Sequence, residues 1–147
     1  MKILIGSDHG GFCLKEDLKS FLLELGHEVK DFGVFSSDQS DYPEVAFHVA
    51  ESLIRGEGDR AVLICGTGIG MAISANKVKG IRAALCHDVF SARAAMEHNR
   101  ANVLTMGERV IGAGLAREIL KTWLEAEFQA GRHLRRVSKI EEYENRE

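Results

Sequence analysis

Short apolar runs rich in β-branched residues alternate along this chain with segments of helical periodicity. The five runs predicted to be strands are Lys2–Ile5, His27–Phe32, Ala61–Cys65, Arg82–Cys86 and Asn102–Met106. Alternation of this kind implies parallel pairing of the strands through right-handed crossovers. The third run contains no polar alternation, as expected for a strand that is covered on both faces. The sequence therefore predicts an α/β fold with three layers, an open parallel sheet of about five strands with helices on both faces.

Helical periodicity fills the segments between these runs. In the first helix, apolar residues recur every three or four positions, and Lys15, Glu16 and Lys19 fall on the other face. Gly26 follows as the predicted C-cap, and Pro43 is placed to open a second helix in its first turn. Further helices are predicted over residues 70–78, 89–98, 112–128 and 132–147.

Composition narrows the class of protein. The 147 residues carry 19 basic and 22 acidic side chains, so the formal net charge is -3. The chain therefore lacks the excess of positive charge that is typical of proteins that bind nucleic acid. With 45% hydrophobic and 28% charged residues, the composition is globular, and the length suits a single domain over residues 1–147. The apolar runs are too short to cross a bilayer or to form a signal-peptide core, so a cytoplasmic location is expected.

The three cysteines include neither a CxxC pair nor an even set, so free thiols are expected rather than a disulfide framework or a zinc site. Cys13 and Cys86 are interpreted as small buried hydrophobic residues, the commonest environment of a free cysteine. Cys65 differs because it ends a predicted strand directly before a glycine-rich loop. A thiol beside backbone amides and a helix N-terminus favours the thiolate, which can act as base or nucleophile.

The glycine-rich loop, residues 66–70, lies between a buried strand and a helix, where ligands bind in sheets of this type. Its amides can converge on an anion. A dinucleotide site competes with this interpretation, since Asp88 lies 22 residues after Gly66, but Met71 replaces the last glycine of the GxGxxG fingerprint. Met71 also stands where a cysteine phosphatase has its arginine, and the Gly-Lys-Ser/Thr ending of a Walker loop is absent.

Two histidines are positioned to reach the same crevice. His9 follows the first strand and His98 precedes the last, and both are candidates for acid and base roles near neutral pH. His27 and His48 have no partners in view and are interpreted as structural or solvated. For His87 the sequence leaves both possibilities open.

Near the end of the chain, Arg132 and Arg136 are four residues apart and share a helical face, which suits a fork around one phosphate. A solvated basic stretch balanced by Glu141, Glu142 and Glu144 explains the same pattern equally well. Spacing alone does not decide between the two.

The segments that follow the strands together resemble the B-type ribose-5-phosphate isomerase family, which includes the galactose-6-phosphate isomerase subunits. The resemblance covers essentially the whole chain, and its separate motifs occur in the family's order. These motifs are Ser7-Asp8-His9-Gly10-Gly11, Asp41-Tyr42-Pro43, Cys65-Gly66-Thr67-Gly68-Ile69-Gly70, Ser74-Ala75-Asn76-Lys77, Gly80-Ile81-Arg82-Ala83, Glu97-His98-Asn99 and Gly131-Arg132-His133. A Rossmann-like sheet is then expected.

The resemblance implies an isomerase that interconverts ribose 5-phosphate and ribulose 5-phosphate through an enediolate, with no metal or organic cofactor. It implies that Cys65 moves the proton between C1 and C2 and that His98 opens the furanose ring. One branch of the family has a glutamate base at the position of Met71, which leaves that role to Cys65 here.

The resemblance also assigns a set of further site residues. Thr67 accompanies Cys65 and His98 as catalytic, the amides of the glycine-rich loop form the enediolate cradle, and three arginines bind the phosphate. The substrate-binding residues are Asp8, His9, Gly66, Thr67, Gly68, Ile69, Gly70, Asn99, Arg109, Arg132 and Arg136. Family members are homodimers or dimers of dimers, and the neighbouring subunit completes each site. The expected partners are thus a phosphorylated sugar and a second copy of the chain, with no nucleic acid and no membrane.

Other functions stay open. Allose 6-phosphate or galactose 6-phosphate would need much the same side chains, because chain-length discrimination depends on pocket depth. A nucleotide-binding or signalling module could use the same sheet, although a phosphoacceptor receiver needs an aspartate and a lysine where this chain has Cys65 and Arg109. A redox role for Cys65 finds no resolving cysteine nearby in sequence.

Overall fold

Five parallel strands form one sheet in the computed structural model of the chain, which describes residues 1–147. The strands are β1 Lys2–Ser7, β2 Glu28–Asp31, β3 Arg60–Cys65, β4 Ala83–Leu85 and β5 Val103–Gly107. They lie in the order β2-β1-β3-β5-β4, and every neighbouring pair is parallel. The open parallel sheet predicted from the alternation of strands and helices is confirmed.

The chain has six α-helices, and helices cover both faces of the sheet. They are α1 Phe12–Glu24, α2 Tyr42–Ile54, α3 Ile69–Ala75, α4 Val89–Glu97, α5 Ala113–Glu125 and α6 Arg132–Glu144. Buried residues of α1, α4 and α5 share one apolar core with the sheet, and those of α2 and α3 share another on the opposite face. No helix combines the length and the apolar character that crossing a bilayer requires.

Capping residues decide where the first helix ends. Gly26 has a φ of 87° and lies one residue beyond the cap residue Leu25. The amides of Gly26 and His27 donate to the carbonyl groups of Leu23 and Leu22 at 3.0 and 3.1 Å. These two bonds and the left-handed glycine end the helix and turn the chain toward β2, as predicted from the position of Gly26.

Lys15 is the main departure from the helical pattern. Its position opposite the apolar stripe predicts a polar face, yet its side chain is fully buried. The Nζ atom donates to both carboxylate oxygens of Asp31, at 2.8 and 2.7 Å, and Lys19 reaches the same carboxylate at 3.2 Å. Burial alone would raise the pKa of Asp31, but these bonds and one from the Gly33 amide outweigh it and lower that pKa. The carboxylate at the end of β2 explains why a lysine is tolerated there.

The strand order creates a crevice between β1 and β3. From β1 the chain continues to β2 on one side, and it then returns to place β3 on the other side. In open α/β sheets, ligands bind outside the carboxyl ends of the strands at such a switch point. The loops that follow β1 and β3 carry Asp8 and the residues 66–70, so the fold brings these two segments together.

Candidate active site

Cys65 ends β3 at the floor of the crevice, and 5% of its surface is exposed. The backbone amide of Gly68 donates to the Cys65 Sγ at 3.1 Å. Gly68 adopts a φ of 78°, which a side chain would strain, and this turn curls the loop back over the sulfur. The loop thus places a backbone donor within hydrogen-bonding distance of the sulfur.

The end of β5 supports the same loop from the other side. The amides of Glu108 and Arg109 donate to the carbonyl groups of Cys65 and Gly66, both at 3.0 Å. A Cβ on Gly66 would lie 3.1 Å from the Arg109 Nη1 atom, so the missing side chain lets the guanidinium reach the loop. Arg109 is thereby fixed beside the glycine-rich loop as a cation for an anionic ligand.

The turn after β1 supplies the opposite wall. Asp8 is 7% exposed, and its carboxylate accepts the Gly10 amide at 2.9 Å, which caps a short 3₁₀ turn over His9–Gly11. The Asp8 amide donates to the Ile64 carbonyl at 3.3 Å, which fastens the turn to β3. The His9 ring is held through Nδ1, which lies 3.2 Å from the amide and 3.1 Å from the carbonyl oxygen of Ser40.

These elements enclose an open groove of about 370 Å³, which we call the Cys65 groove. Its lining consists of Asp8, Tyr42, Cys65, Gly66, Thr67, Ile69, Gly70, Ile73 and Arg109. Two of these, Tyr42 and Ile73, have no role in the sequence interpretation. For Tyr42 a signal existed in the motif Asp41-Tyr42-Pro43, which places the ring at the start of α2. A Cβ on Gly70 would overlap that ring, so the two residues are matched.

Four predicted site residues lie apart from the groove, and together with the neighbouring His133 we call them the His98 cluster: His98, Asn99, Arg132, Arg136 and His133. His98 caps the end of α4, and its ring stacks on that of His133 with centroids 4.3 Å apart and planes at 11°. Burial, and then the nearby His98, Arg132 and Arg136, lower the pKa of His133. No member of the cluster lines the Cys65 groove. Within one chain, the predicted site is therefore divided in two.

His87 is resolved as a structural support. Its Nε2 atom accepts the Gly107 amide at 2.9 Å, so this nitrogen carries no proton. Burial lowers the pKa of His87, which keeps the ring neutral in that role. His48 is likewise structural, because its ring meets that of Phe32 edge-on with centroids 4.9 Å apart.

The alternative of a dinucleotide site loses support in the structure. The carboxylate of Asp88 accepts the amide and the hydroxyl of Ser91 at 2.6 and 2.8 Å, so it caps α4 and is not free to hold a ribose. Cys86 is buried, as expected, and burial together with Asp88 raises its pKa to about 11, which disfavours a thiolate there. The expectation that Cys13 is buried was wrong. It is exposed because it lies beside, not on, the apolar stripe of α1.

The Cys65 groove combines the parts that proton transfer beside a carbonyl group requires. A thiolate at Cys65 can accept a proton, and backbone amides such as those of the loop can donate to an oxygen on which negative charge develops. Arg109 adds a positive charge at the edge of the groove, where a phosphate can bind.

Comparison with known proteins identifies relatives that match nearly the whole chain. The profile of the family described as Ribose/Galactose Isomerase matches residues 3–140. YwlF of Bacillus subtilis (strain 168), provisionally named a sugar phosphate isomerase, is 58% identical over 147 residues, 99% of each chain. Ribose-5-phosphate isomerase B of Escherichia coli (strain K12) is 47% identical over 99% of this chain and 97% of its own length. D-erythrulose-4-phosphate isomerase of Pectobacterium atrosepticum is 44% identical over 100% of this chain and 97% of its own.

The fold comparison is equally close. The structure of ribose-5-phosphate isomerase B from Clostridium thermocellum superposes with a TM-score of 0.97 at 55% identity, covering 98% of this chain and 97% of that one. The Rossmann-like fold and the family resemblance predicted from the sequence are both confirmed. With a family match over residues 3–140 and relatives of this identity over nearly the whole chain, the protein belongs to the ribose/galactose isomerase family as a sugar phosphate isomerase.

Proposed function

We propose that this isomerase interconverts ribose 5-phosphate and ribulose 5-phosphate, with Cys65 as the residue that moves the proton. The observation that carries the proposal is the Cys65 sulfur at the floor of the groove, 3.1 Å from the Gly68 amide that donates to it. Relatives named ribose-5-phosphate isomerase B support the choice of sugar.

The proposed proton transfer needs no group beyond this chain's own. The thiolate of Cys65 removes the proton from C2 of the open-chain aldose, and the electron pair of that bond forms a C1–C2 double bond. The former carbonyl oxygen O1 becomes negative and is stabilised by the amides of residues 66–70 and by Thr67. The thiol then returns the proton to C1 while the proton of the C2 hydroxyl passes to O1, which leaves the carbonyl group at C2.

Ring opening is assigned to His98. Ribose 5-phosphate is mostly a furanose, so a proton must leave the C1 hydroxyl and another must reach the ring oxygen before C2 becomes acidic. An imidazole exchanges protons readily near neutral pH. The ring of His98 is held in one plane by its stack on His133, which suits a group that must address a single ring oxygen.

A second subunit is proposed to complete each site. The His98 cluster carries Asn99, Arg132 and Arg136 but lies outside the groove that holds Cys65, so one chain contributes two half-sites. Ile69 and Ile73, which line the groove, are more than half exposed, and so is Phe90 at the start of α4. A homodimer or a dimer of dimers would cover this apolar surface and bring the partner's arginines to the phosphate.

Isotope exchange tests the role of Cys65. In heavy water, wild-type protein is expected to produce ribulose 5-phosphate and to place deuterium at C2 of the recovered ribose 5-phosphate. Cys65→Ala is expected to abolish both, whereas Cys13→Ala, a matched change of the exposed thiol, retains them. Full turnover by the Cys65 variant would refute the assignment.

Complementation tests the shared site. Cys65→Ala and His98→Asn are each expected to be inactive, but a dimer containing one of each has one intact site. After unfolding and refolding as an equal mixture, about a quarter of wild-type activity is expected if two subunits build each site. No recovery in a verified mixed dimer would show that Cys65 and His98 act within one chain.

Other phosphorylated aldoses are the second candidate. A relative named D-erythrulose-4-phosphate isomerase matches the whole chain, and the family description includes galactose, so a panel of four- to six-carbon sugar phosphates is the direct comparison. A cytoplasmic location belongs to the proposal and is supported by three free thiols, Cys13, Cys65 and Cys86, which persist in reducing compartments.

A further inference from the structure

The motif Gly80-Ile81-Arg82-Ala83 lies outside the Cys65 groove and has no role in the proposed reaction. We infer that Arg82 is a positioning residue, whose guanidinium ties the turn that carries His98 and Asn99 to helix α6. This inference rests on the proposed function, because it gives Arg82 its effect through the ring-opening histidine.

The side chain of Arg82 bonds two segments that are both distant from it in sequence. Its Nε atom donates to the carbonyl groups of Asn99 and Arg100 at 3.2 and 3.1 Å. Its Nη1 atom donates to the carboxylate of Glu141, on α6, at 3.3 Å. The Arg82 side chain is 19% exposed and that of Glu141 47%, so the guanidinium is the better shielded end of this ion pair.

The backbone of Arg82 is also held by hydrogen bonds, which fixes the position from which its side chain extends. The Asn102 side-chain oxygen accepts the Arg82 amide at 2.8 Å, and the Arg82 carbonyl accepts the amide of Asn102 at 3.1 Å. Two residues earlier, the Gly80 amide donates to the carboxylate of Glu144 at 3.0 Å, a second link to α6. The segment before β4 is thus fastened both to β5 and to α6.

The turn after α4 needs this support. Helix α4 ends at Glu97. Arg100 adopts a φ of 49°, a backbone conformation that residues other than glycine rarely adopt. Carbonyl groups beyond a helix end have no partner within the helix, and here the guanidinium supplies one for both Asn99 and Arg100. Because a guanidinium offers several donors in a fixed plane, it bonds the turn and Glu141 at once, whereas a lysine ammonium is a point donor.

These bonds of Arg82 set the geometry of the His98 cluster. His98 belongs to the end of α4, while His133, Arg132 and Arg136 belong to α6. Their stack at 4.3 Å therefore depends on how the turn and α6 are held relative to each other. A displacement of about 1 Å in a reacting group can lower a rate by about 100-fold, so loosening Arg82 is expected to impair the step that His98 performs.

Two sugars separate this effect from a general loss of structure. Ribose 5-phosphate must be opened before it reacts. D-erythrulose 4-phosphate forms no furanose ring, because a ketone at C2 of a four-carbon chain has no C5 hydroxyl with which to close a five-membered ring. We expect Arg82→Met to lower kcat on ribose 5-phosphate by about 10-fold to 100-fold and kcat on D-erythrulose 4-phosphate by less than about threefold. Arg82→Lys should fall between Arg82→Met and the wild type. Arg135→Met, an exposed arginine of α6, should leave both rates unchanged.

A second readout does not depend on turnover. Amide hydrogen exchange over residues 98–101, followed by mass spectrometry, is expected to accelerate in Arg82→Met and Arg82→Lys and to stay unchanged in Arg135→Met. Unchanged exchange in this turn would overturn the inference. So would equal loss on both sugars, provided that His98→Asn itself impairs ribose 5-phosphate more than D-erythrulose 4-phosphate. His98→Asn provides the distinction from the proposed function. If it shows no preference between the two sugars, the ring-opening assignment to His98 fails, and the exchange data alone then decide whether Arg82 positions the turn.

Discussion

Gly107 offers the most quantitative test of how the glycine-rich loop is held. The residue ends β5 opposite Cys65, and its Cβ, if present, would lie 2.6 Å from the Thr67 carbonyl carbon and 2.7 Å from the Gly66 oxygen. Carbon atoms are in favourable contact at about 3.5 Å or more, so Gly107→Ala requires a displacement of about 0.9 Å. The loop should move rather than the strand, because Thr67 is exposed whereas Gly107 is buried between neighbours.

Movement of the loop has a calculable consequence. It lengthens the Gly68 bond to the Cys65 sulfur and the bond from the Thr105 hydroxyl to the Gly68 carbonyl, now 3.1 and 2.9 Å. We expect kcat to fall by about 100-fold, as for a displaced donor at a developing oxyanion. The free energy of unfolding should fall by about 1–3 kcal/mol, the usual cost of overpacking.

The assay compares Gly107→Ala with Gly114→Ala. A Cβ on Gly114 meets no atom within 4 Å, and the residue lies in α5, where alanine should stabilise the protein by about 0.5–1 kcal/mol without affecting turnover. Ketose formation gives kcat and KM, and urea unfolding gives the stability. If Gly107→Ala keeps kcat within about twofold of the wild type, the loop is not held by close approach to β5, and the reasoning fails.

Three further predictions concern charge. Asp31→Ala should lower the free energy of unfolding by about 3 kcal/mol, because it leaves the buried ammonium of Lys15 with only the partly exposed Glu16 carboxylate, at 3.0 Å. The exposed-pair control Glu57→Ala should cost less than about 1 kcal/mol in the same urea titration, and equal costs would contradict the prediction. The pKa of His87 is depressed in the folded state, so the unfolded chain binds the proton more tightly and stability should fall as pH drops below about 6.5. Unfolding measured across this range should be flatter for His87→Gln, and an unchanged slope would rule out His87 as a source. Arg132→Ala should raise KM for ribose 5-phosphate well above that of Arg135→Ala. Equal KM values would indicate that Arg132 belongs to a solvated basic stretch and does not bind the phosphate.

Much of the candidate site could be proposed from the sequence because it is local in sequence. Cys65 and residues 66–70 are consecutive, and a thiol that ends a buried strand before a glycine-rich turn has few other places to lie. The pairing of this loop with Asp8 also follows from the fold class, since adjacent parallel strands present their carboxyl ends at the same edge. Tyr42 escaped notice because its role depends on the space left by Gly70, a contact between two different helices.

The amino-acid sequence by itself determined the parallel sheet, the position of the thiol and the family, because each is encoded in short-range periodicity or in contiguous motifs. Only the tertiary structure showed that Lys15 is buried on Asp31, that the His98 cluster stands apart from the Cys65 groove, and that Arg82 reaches Glu141. These features join residues 16 to 59 positions apart. The physical reason is that the partners of a charged side chain are set by the residues that the fold places beside it. A helical or strand repeat specifies only the face of the element from which the side chain projects.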